Sequence, residues 1–253
     1  MEEKIYFNDS EGNKVCGVLS NPTSDTNIPV IILCHGFSTS KNNSTNTSLK
    51  QVLADKNIAT FRLDFFGHGE SSGKFDDVTI SKAVDDIINA VKFLRNKGYK
   101  KIGLFGSSFG GISSIVAASK LDGLLFLALK SPTSDYLEVK NKEMTKKEIE
   151  EWKNKGYTSY LNSHGVKFRL NYPFFEDFKN NNGYECAERI NVPTLIVHGD
   201  CDETVPLEQS KKTCKLMKNC RLEIIKGADH RYTKPEHFQK VVDLISEFIF
   251  ENI

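Results

Sequence analysis

The chain has 253 residues, room for one large domain with an ample buried core or one domain plus a small insertion. Its 34 lysines and arginines nearly cancel 33 aspartates and glutamates, which removes the charge asymmetry that nucleic acid or an anionic membrane would require. The longest apolar stretch, near Leu124–Leu129, is too short to cross a bilayer, and the opening MEEKIYFNDSEGN lacks the basic and apolar regions of a secretory signal, so a cytoplasmic protein without a membrane span is expected.

Two alternating stretches around Ile5–Phe7 and Val15–Leu19, split by Glu11-Gly12-Asn13, predict a hairpin. Ile28–Cys34 is a near-continuous apolar run of the kind buried on both faces of a parallel sheet, and Ile58–Asp64 is another. Between them the Ser/Thr/Asn run from Ser38 to Ser48 predicts a surface loop. Val78–Asn96 carries apolar residues at helical spacing, with Gly98 placed to stop it. There follow a strand at Ile102–Phe105, a small-residue helix from about Phe109 to Lys120, and strands at Leu124–Leu129, Thr194–Val197 and Leu222–Ile225. A last helix is opened by Pro235. Strands alternating with helices predict an α/β fold with a mostly parallel sheet, the first hairpin forming an antiparallel edge.

Residues 133–190 break this rhythm. They hold a Thr145-x-x-Glu148 capping box and the aromatics Trp152, Tyr157, Tyr160, Phe168, Tyr172, Phe174, Phe175 and Phe178. An insertion of this length predicts a lid on a core of residues 1–132 and 191–253; plain packing of its aromatics onto the body is the competing reading. The six cysteines, at 16, 34, 186, 201, 214 and 220, form no Cys-x-x-Cys pair, and free thiols are expected.

Gly106-Ser107-Ser108-Phe109-Gly110 fits Gly-x-Ser-x-Gly, but so does Gly69-Glu70-Ser71-Ser72-Gly73. Context separates them: Ser108 lies directly between an apolar strand and a small-residue helix, where a tight turn lifts a hydroxyl above the sheet, whereas Ser71 lies in a polar stretch. Gly106 and Gly110 let the backbones approach at that turn, and Ser107 is a neighbour whose side chain points elsewhere.

A serine needs a base, and the base needs an orienting acid. His230 sits on a loop beyond the strand Leu222–Ile225, where sites collect in parallel sheets. His237 falls in the final helix, His198 ends a strand and reads as structural, and His164 lies in the insertion. His35 and His68 flank other strand ends. For the acid, Asp202 reaches further into its loop than Asp200 and is preferred; Asp135 is an outside candidate, and Asp229 is too close to His230 in sequence.

The order Ser108, Asp202, His230, each beyond a separate strand, resembles the α/β-hydrolase family over nearly the whole chain. LCHGFS resembles its oxyanion loop, DFFGHGESSG the segment after the next strand, and HGDCDETVP and GADH its acid and histidine loops. The resemblance implies an oxyanion hole made by the amides of Phe37 and Phe109, with His35 and Gly36 shaping that loop. It points to feruloyl or cinnamoyl esterases and to the serine aminopeptidase and monoglyceride-lipase-like group, although Ser107 stands where the common elbow there has His. The expected activity is hydrolysis of small or medium acyl or aryl esters, a small-molecule ester substrate and no cofactor or metal. Thioesterase or acyltransferase, aminopeptidase-like and non-catalytic ligand-binding readings are the alternatives. The oligomeric state stays open, a homodimer among the options.

Overall fold

The computed structural model describes residues 2–162 and 165–253, which leaves His164 outside the described residues. The chain opens with the hairpin β1 (Glu2–Asn8) and β2 (Lys14–Ser20), followed by β3 (Val30–Cys34), α1 (Ser44–Ala54), β4 (Ala59–Leu63), α2 (Ile80–Asn96), β5 (Ile102–Ser107), α3 (Phe109–Ala118) and β6 (Leu124–Lys130). The inserted segment contains α4 (Tyr136–Glu143), α5 (Lys146–Lys155), a hairpin of β7 (Tyr157–Leu161) and β8 (Lys167–Asn171), α6 (Pro173–Glu176) and α7 (Gly183–Ala187). The chain then returns through β9 (Thr194–Gly199), α8 (Leu207–Leu216), β10 (Cys220–Ile225) and α9 (Pro235–Glu251).

Eight strands form one sheet in the order β1-β2-β4-β3-β5-β6-β9-β10. Only the pairings made by β2 are antiparallel. Side chains alternate across the sheet with the strand's period of two. Ile31, Leu33 and Phe105 face Leu49 and Leu53 of α1 and Val241, Ile245 and Ile249 of α9. Ile32, Cys34 and Leu104 face the other way, onto Val84, Ile87 and Val91 of α2 and Ile112 and Ile115 of α3. Both faces are covered, and the central strands are correspondingly apolar along their whole length.

The strand order reverses at β3: the chain steps from β3 to β4 on one side, then crosses back to β5 on the other. Such a switch point opens a crevice beyond the carboxyl ends of the strands. The register keeps those ends level, with Cys34 opposite Gly106, Ser107 opposite Lys130, and Lys130 opposite Val197. The inserted segment packs beside this crevice. Its Trp152, Leu170, Phe174 and Phe178 are buried in the same apolar cluster as α2 and α3, and Asp177 accepts hydrogen bonds from the amide and hydroxyl of Ser81 in the first turn of α2.

Two expectations are corrected. The Ser/Thr/Asn run is a loop only up to Asn43, whose side chain accepts from the amide of Asn46 and opens α1; Thr45 and Asn46 are buried. The cysteines are not all free thiols: Cys214, in the last turn of α8, is disulfide-bonded to Cys220, at the start of β10, with their Cα atoms 5.3 Å apart. The short return from helix to strand brings the two together. Cys16, Cys34, Cys186 and Cys201 remain thiols. Among the described residues, no helix is long and apolar enough to cross a membrane.

Candidate active site

Ser108 stands between β5 and α3 with φ 53° and ψ −112°, a conformation a side chain adopts only when its surroundings enforce it. Its amide donates to the carbonyl of Lys130 at 3.0 Å, and its carbonyl accepts from Gly111 at 2.9 Å and Thr133 at 3.3 Å. The flanking glycines make the turn sterically possible. A Cβ on Gly106 would lie 2.3 Å from the Gly110 carbonyl oxygen, and one on Gly110 would lie 2.5 Å from that of His35. Gly36 differs, because a Cβ there meets Ser107 O and Ser108 Cβ at an ordinary 3.6 Å. Gly106→Ala is therefore expected to destabilise the fold by roughly 4 kcal/mol or more, because the clash is with the Gly110 backbone as well as the Ser114 hydroxyl, while Gly36→Ala melts within a few degrees of wild type. Thermal denaturation of the two variants checks this.

The Ser108 hydroxyl lies 3.1 Å from Nε2 of His230, and Nδ1 of His230 lies 2.7 Å from Oδ2 of Asp202. Oδ1 of Asp202 accepts from the amides of Thr204 at 2.9 Å and Val205 at 2.7 Å, which fixes the carboxylate. Burial by itself would raise this acid; hydrogen bonds from His198 and His230 outweigh it and hold the carboxyl well below the usual carboxylate range. The other acids are engaged elsewhere. Asp135 caps α4, Asp200 accepts from the amide of Gly227, and Asp229 accepts from the amides of Arg231 and Thr233 in its own loop. Ser71 also has a local task, donating to the Asp64 carbonyl at 2.6 Å and accepting from the Cys16 amide at 2.8 Å.

His198 has a larger part than its strand-end position suggests. Its Nε2 lies 3.1 Å from Oδ2 of Asp202 and 3.0 Å from the Val205 carbonyl, so that nitrogen carries the proton and donates to both. Its Nδ1 lies 2.7 Å from the hydroxyl of Ser210. The acid thus sits between two imidazoles. The only sequence signal was the four-residue spacing from His198 to Asp202.

The loop after β3 is braced by two buried histidines. His35 donates from Nδ1 to the Gly36 carbonyl at 2.8 Å and accepts the Phe65 amide at Nε2, 3.2 Å away. His68 donates from Nδ1 to the Phe66 carbonyl and accepts the Ser38 amide at 3.3 Å. Each ring ties the loop carrying Phe37 to the loop after β4, and each does so as a neutral imidazole. Among the described residues, no acceptor takes the amides of Phe37 or Phe109, which leaves both available to a ligand beside Ser108. The cluster with metal-ligand chemistry, Cys16, Asp64 and Glu70, already holds a cation: the ammonium of Lys41 bonds Asp64 and lies 2.7 Å from Glu70.

These buried groups set a pH dependence of stability. Burial pushes His35 down to about 4 and His68 down to about 3, whereas both titrate near 6.5 when unfolded. Burial pushes Asp86, which accepts the Phe66 amide, up to about 8 from an ordinary 3.8. Between about pH 6.5 and 8 the folded chain holds the Asp86 proton that the unfolded chain has lost, so stability falls as pH rises. Between about pH 4 and 6.5 the unfolded chain takes up two histidine protons against one kept by folded Asp86, so stability falls as pH drops. Urea unfolding from pH 4 to 8 is expected to show a maximum near pH 6.5, with stability falling by about 1 kcal/mol per pH unit on the acid side and by well under that on the basic side, where folded Lys130, pushed down to about 8 by burial, releases a proton that the unfolded chain keeps. A monotonic profile across that range would contradict the assignment.

Beyond the strand ends lies a cleft of about 710 Å³. Its lining includes the aromatics Phe37, Tyr136, Tyr160 and Phe174 and, among polar groups, the Ser38–Thr45 segment, Thr204 and Arg231. The aromatic lining joins insertion to core: the Phe37 ring lies 5.3 Å from Phe174, 5.0 Å from Tyr160 and 5.3 Å from Phe109. Ser107, Ser108 and His230 form part of the lining.

Residues 43–253 match the model of the prolyl oligopeptidase family. The uncharacterized protein YfhR of Escherichia coli O157:H7 is 24% identical over 234 residues, 90% of this chain and 73% of that protein. The human mitochondrial palmitoyl-protein thioesterase ABHD10 is 24% identical over 227 residues, 87% of this chain and 73% of that protein. Est1E of Butyrivibrio proteoclasticus, solved with ferulic acid bound, superposes with a TM-score of 0.84 at 28% identity, covering 98% of each chain. The chain belongs to the prolyl oligopeptidase family of α/β-hydrolases.

Proposed function

We propose that the protein is a serine hydrolase that cleaves carboxylic esters of small or medium acyl or aryl groups through an acyl-enzyme. The observation that carries this reading is the hydrogen-bonded chain from Ser108 through His230 to Asp202 at the edge of an aromatic-walled cleft. Ser108 Oγ attacks the ester carbonyl while Nε2 of His230 takes its proton. Asp202 holds the imidazole in the tautomer that leaves Nε2 free and stabilises the imidazolium that forms. The amides of Phe37 and Phe109 receive the oxyanion, each worth about 10²–10³ in rate in such sites. His230 then protonates the departing alcohol. In the second half a water, deprotonated by His230, attacks the acyl group and regenerates the Ser108 hydroxyl. The 133–190 segment acts as a cap whose Tyr136, Tyr160 and Phe174 wall the acyl pocket.

An aminopeptidase reading requires a free carboxylate in the insertion to hold the substrate's amine. Glu143 is the insertion's carboxylate in the cleft lining, and it is already paired with Lys140 at 2.5 Å. Turnover across matched esters, thioesters and aminoacyl amides tests the proposal. Ester kcat/KM is expected to exceed that of the amides by several orders of magnitude. A preference for thioesters would move the activity to the thioesterase class, and a preference for amides would overturn the reading.

A further inference from the structure

The Ser108–His230–Asp202 chain leaves a buried charged group in the cleft lining without a role. Lys130, the last residue of β6, lines the cleft yet is only 7% exposed. Among the described residues, no carboxylate or carbonyl accepts from its ammonium, which instead lies 4.6 Å from the centre of the Tyr232 ring. The nearby carboxylates are engaged by other donors: Asp202 by two imidazoles and two amides, Asp229 by its own loop. A buried ammonium with no carboxylate bonded to it is costly to keep, and burial pushes Lys130 down to about 8 despite the pull of Asp202 and Asp229.

Two further features of the cleft carry positive potential. Arg231, directly after His230, is exposed at the cleft lining, and its guanidinium makes no ion pair or hydrogen bond among the described residues. The first turn of α1 also lines the cleft, and no described acceptor takes the amides of Ser44 and Thr45. An eleven-residue helix presents the positive end of its dipole there. Leu49 and Leu53 of α1 share one apolar cluster with Tyr232, whose ring lies against the Lys130 ammonium, so α1 and Lys130 belong to the same face of the sheet; Arg231 follows His230 in the same cleft lining.

We propose that this side of the cleft is an anion subsite, in which Lys130, Arg231 and the α1 N-terminus hold a carboxylate or phosphate carried by the alcohol or thiol portion of the substrate. The assignment to the leaving group follows from His230: its Nε2 must face the departing oxygen, and Arg231 and Tyr232 follow it in the chain. The aromatic part of the lining then remains for the acyl group. This inference rests on the hydrolase reading above and narrows its substrate class to esters or thioesters with an acidic leaving group.

The test uses three acetate esters: of para-hydroxybenzoate, of para-hydroxyphenyl phosphate, and of neutral methyl para-hydroxybenzoate. Each kcat/KM is divided by that ester's spontaneous hydrolysis rate. The wild type is expected to favour at least one anionic ester by about tenfold or more, the scale of a charge-assisted hydrogen bond. The favoured anion separates a carboxylate site from a phosphate site. In Arg231→Gln and Lys130→Met the anionic-to-neutral ratio should fall toward one, through a rise in KM for the anionic ester. Arg231 is a surface side chain, so its variant keeps the test meaningful if Lys130→Met fails to fold. Equal turnover of all three esters by the wild type would overturn the subsite, as would variants that lower all three rates alike. Ser108→Ala serves as the reference: if neutral-ester turnover survives in it, the hydrolase reading has failed instead.

Discussion

Replacing Ser108 by alanine is expected to lower kcat/KM for a p-nitrophenyl ester by about 10⁴-fold or more while the thermal midpoint stays close to that of the wild type. The large first effect follows because, in the proposed mechanism, this hydroxyl forms the acyl bond and is the one that faces Nε2 of His230. The small second effect follows because the hydroxyl's one hydrogen bond in the described structure is to His230, and alanine meets the same backbone conformation as serine. Steady-state kinetics and a melting curve on the same preparation separate the two. Residual turnover within tenfold of wild type would remove Ser108 as the nucleophile.

Asp202→Asn carries the second large effect. Oδ2 of Asp202 accepts from both His230 and His198. An amide nitrogen facing His230 would force the ring to donate from Nε2, so the proton would sit where the serine proton must go. A loss of about 10⁴ in kcat is expected from that tautomer change. Asp202→Ala should in addition lower stability, because two imidazole N–H groups and the amides of Thr204 and Val205 lose their acceptor, at about 1–3 kcal/mol for each buried group left unpaired. Pre-steady-state kinetics of Asp202→Asn and urea denaturation of Asp202→Ala measure the two effects separately.

Much of this architecture was legible because it rests on short-range patterns. Ile28–Cys34 and Ile102–Phe105 announce themselves as strands buried on both faces, and the glycines around Ser108 announce a turn too tight for any other residue. α2 was equally clear from its apolar spacing. Elements without an apolar stripe were not. The Ser/Thr/Asn run hides the start of α1, whose first turn buries Thr45 and Asn46 in place of hydrophobic residues. α8 buries Gln209, Ser210 and Thr213, so periodicity had nothing to detect, and the β7–β8 hairpin lies inside an aromatic-rich stretch with no clean alternation.

The candidate site divides along the same line. Ser108, Asp202 and His230 each follow a recognisable strand, so topology alone places them near one another. The part played by His198 depends on a bond to a loop residue four positions on, and the Cys214–Cys220 bond depends on how α8 returns to β10. Lys130 is the last residue of an apolar strand, and only the folded structure shows that it lines the cleft with its ammonium packed on the Tyr232 ring and bonded to no described carboxylate.

In the proposed mechanism Ser108 is activated by His230 for attack on a carbonyl. Treating the folded protein with a fluorophosphonate and mapping the adduct by mass spectrometry tests it most directly. A single phosphonylated residue at Ser108, formed in the wild type and lost in His230→Ala, is the predicted result. No adduct on the folded wild type, or an adduct at another serine, would contradict it.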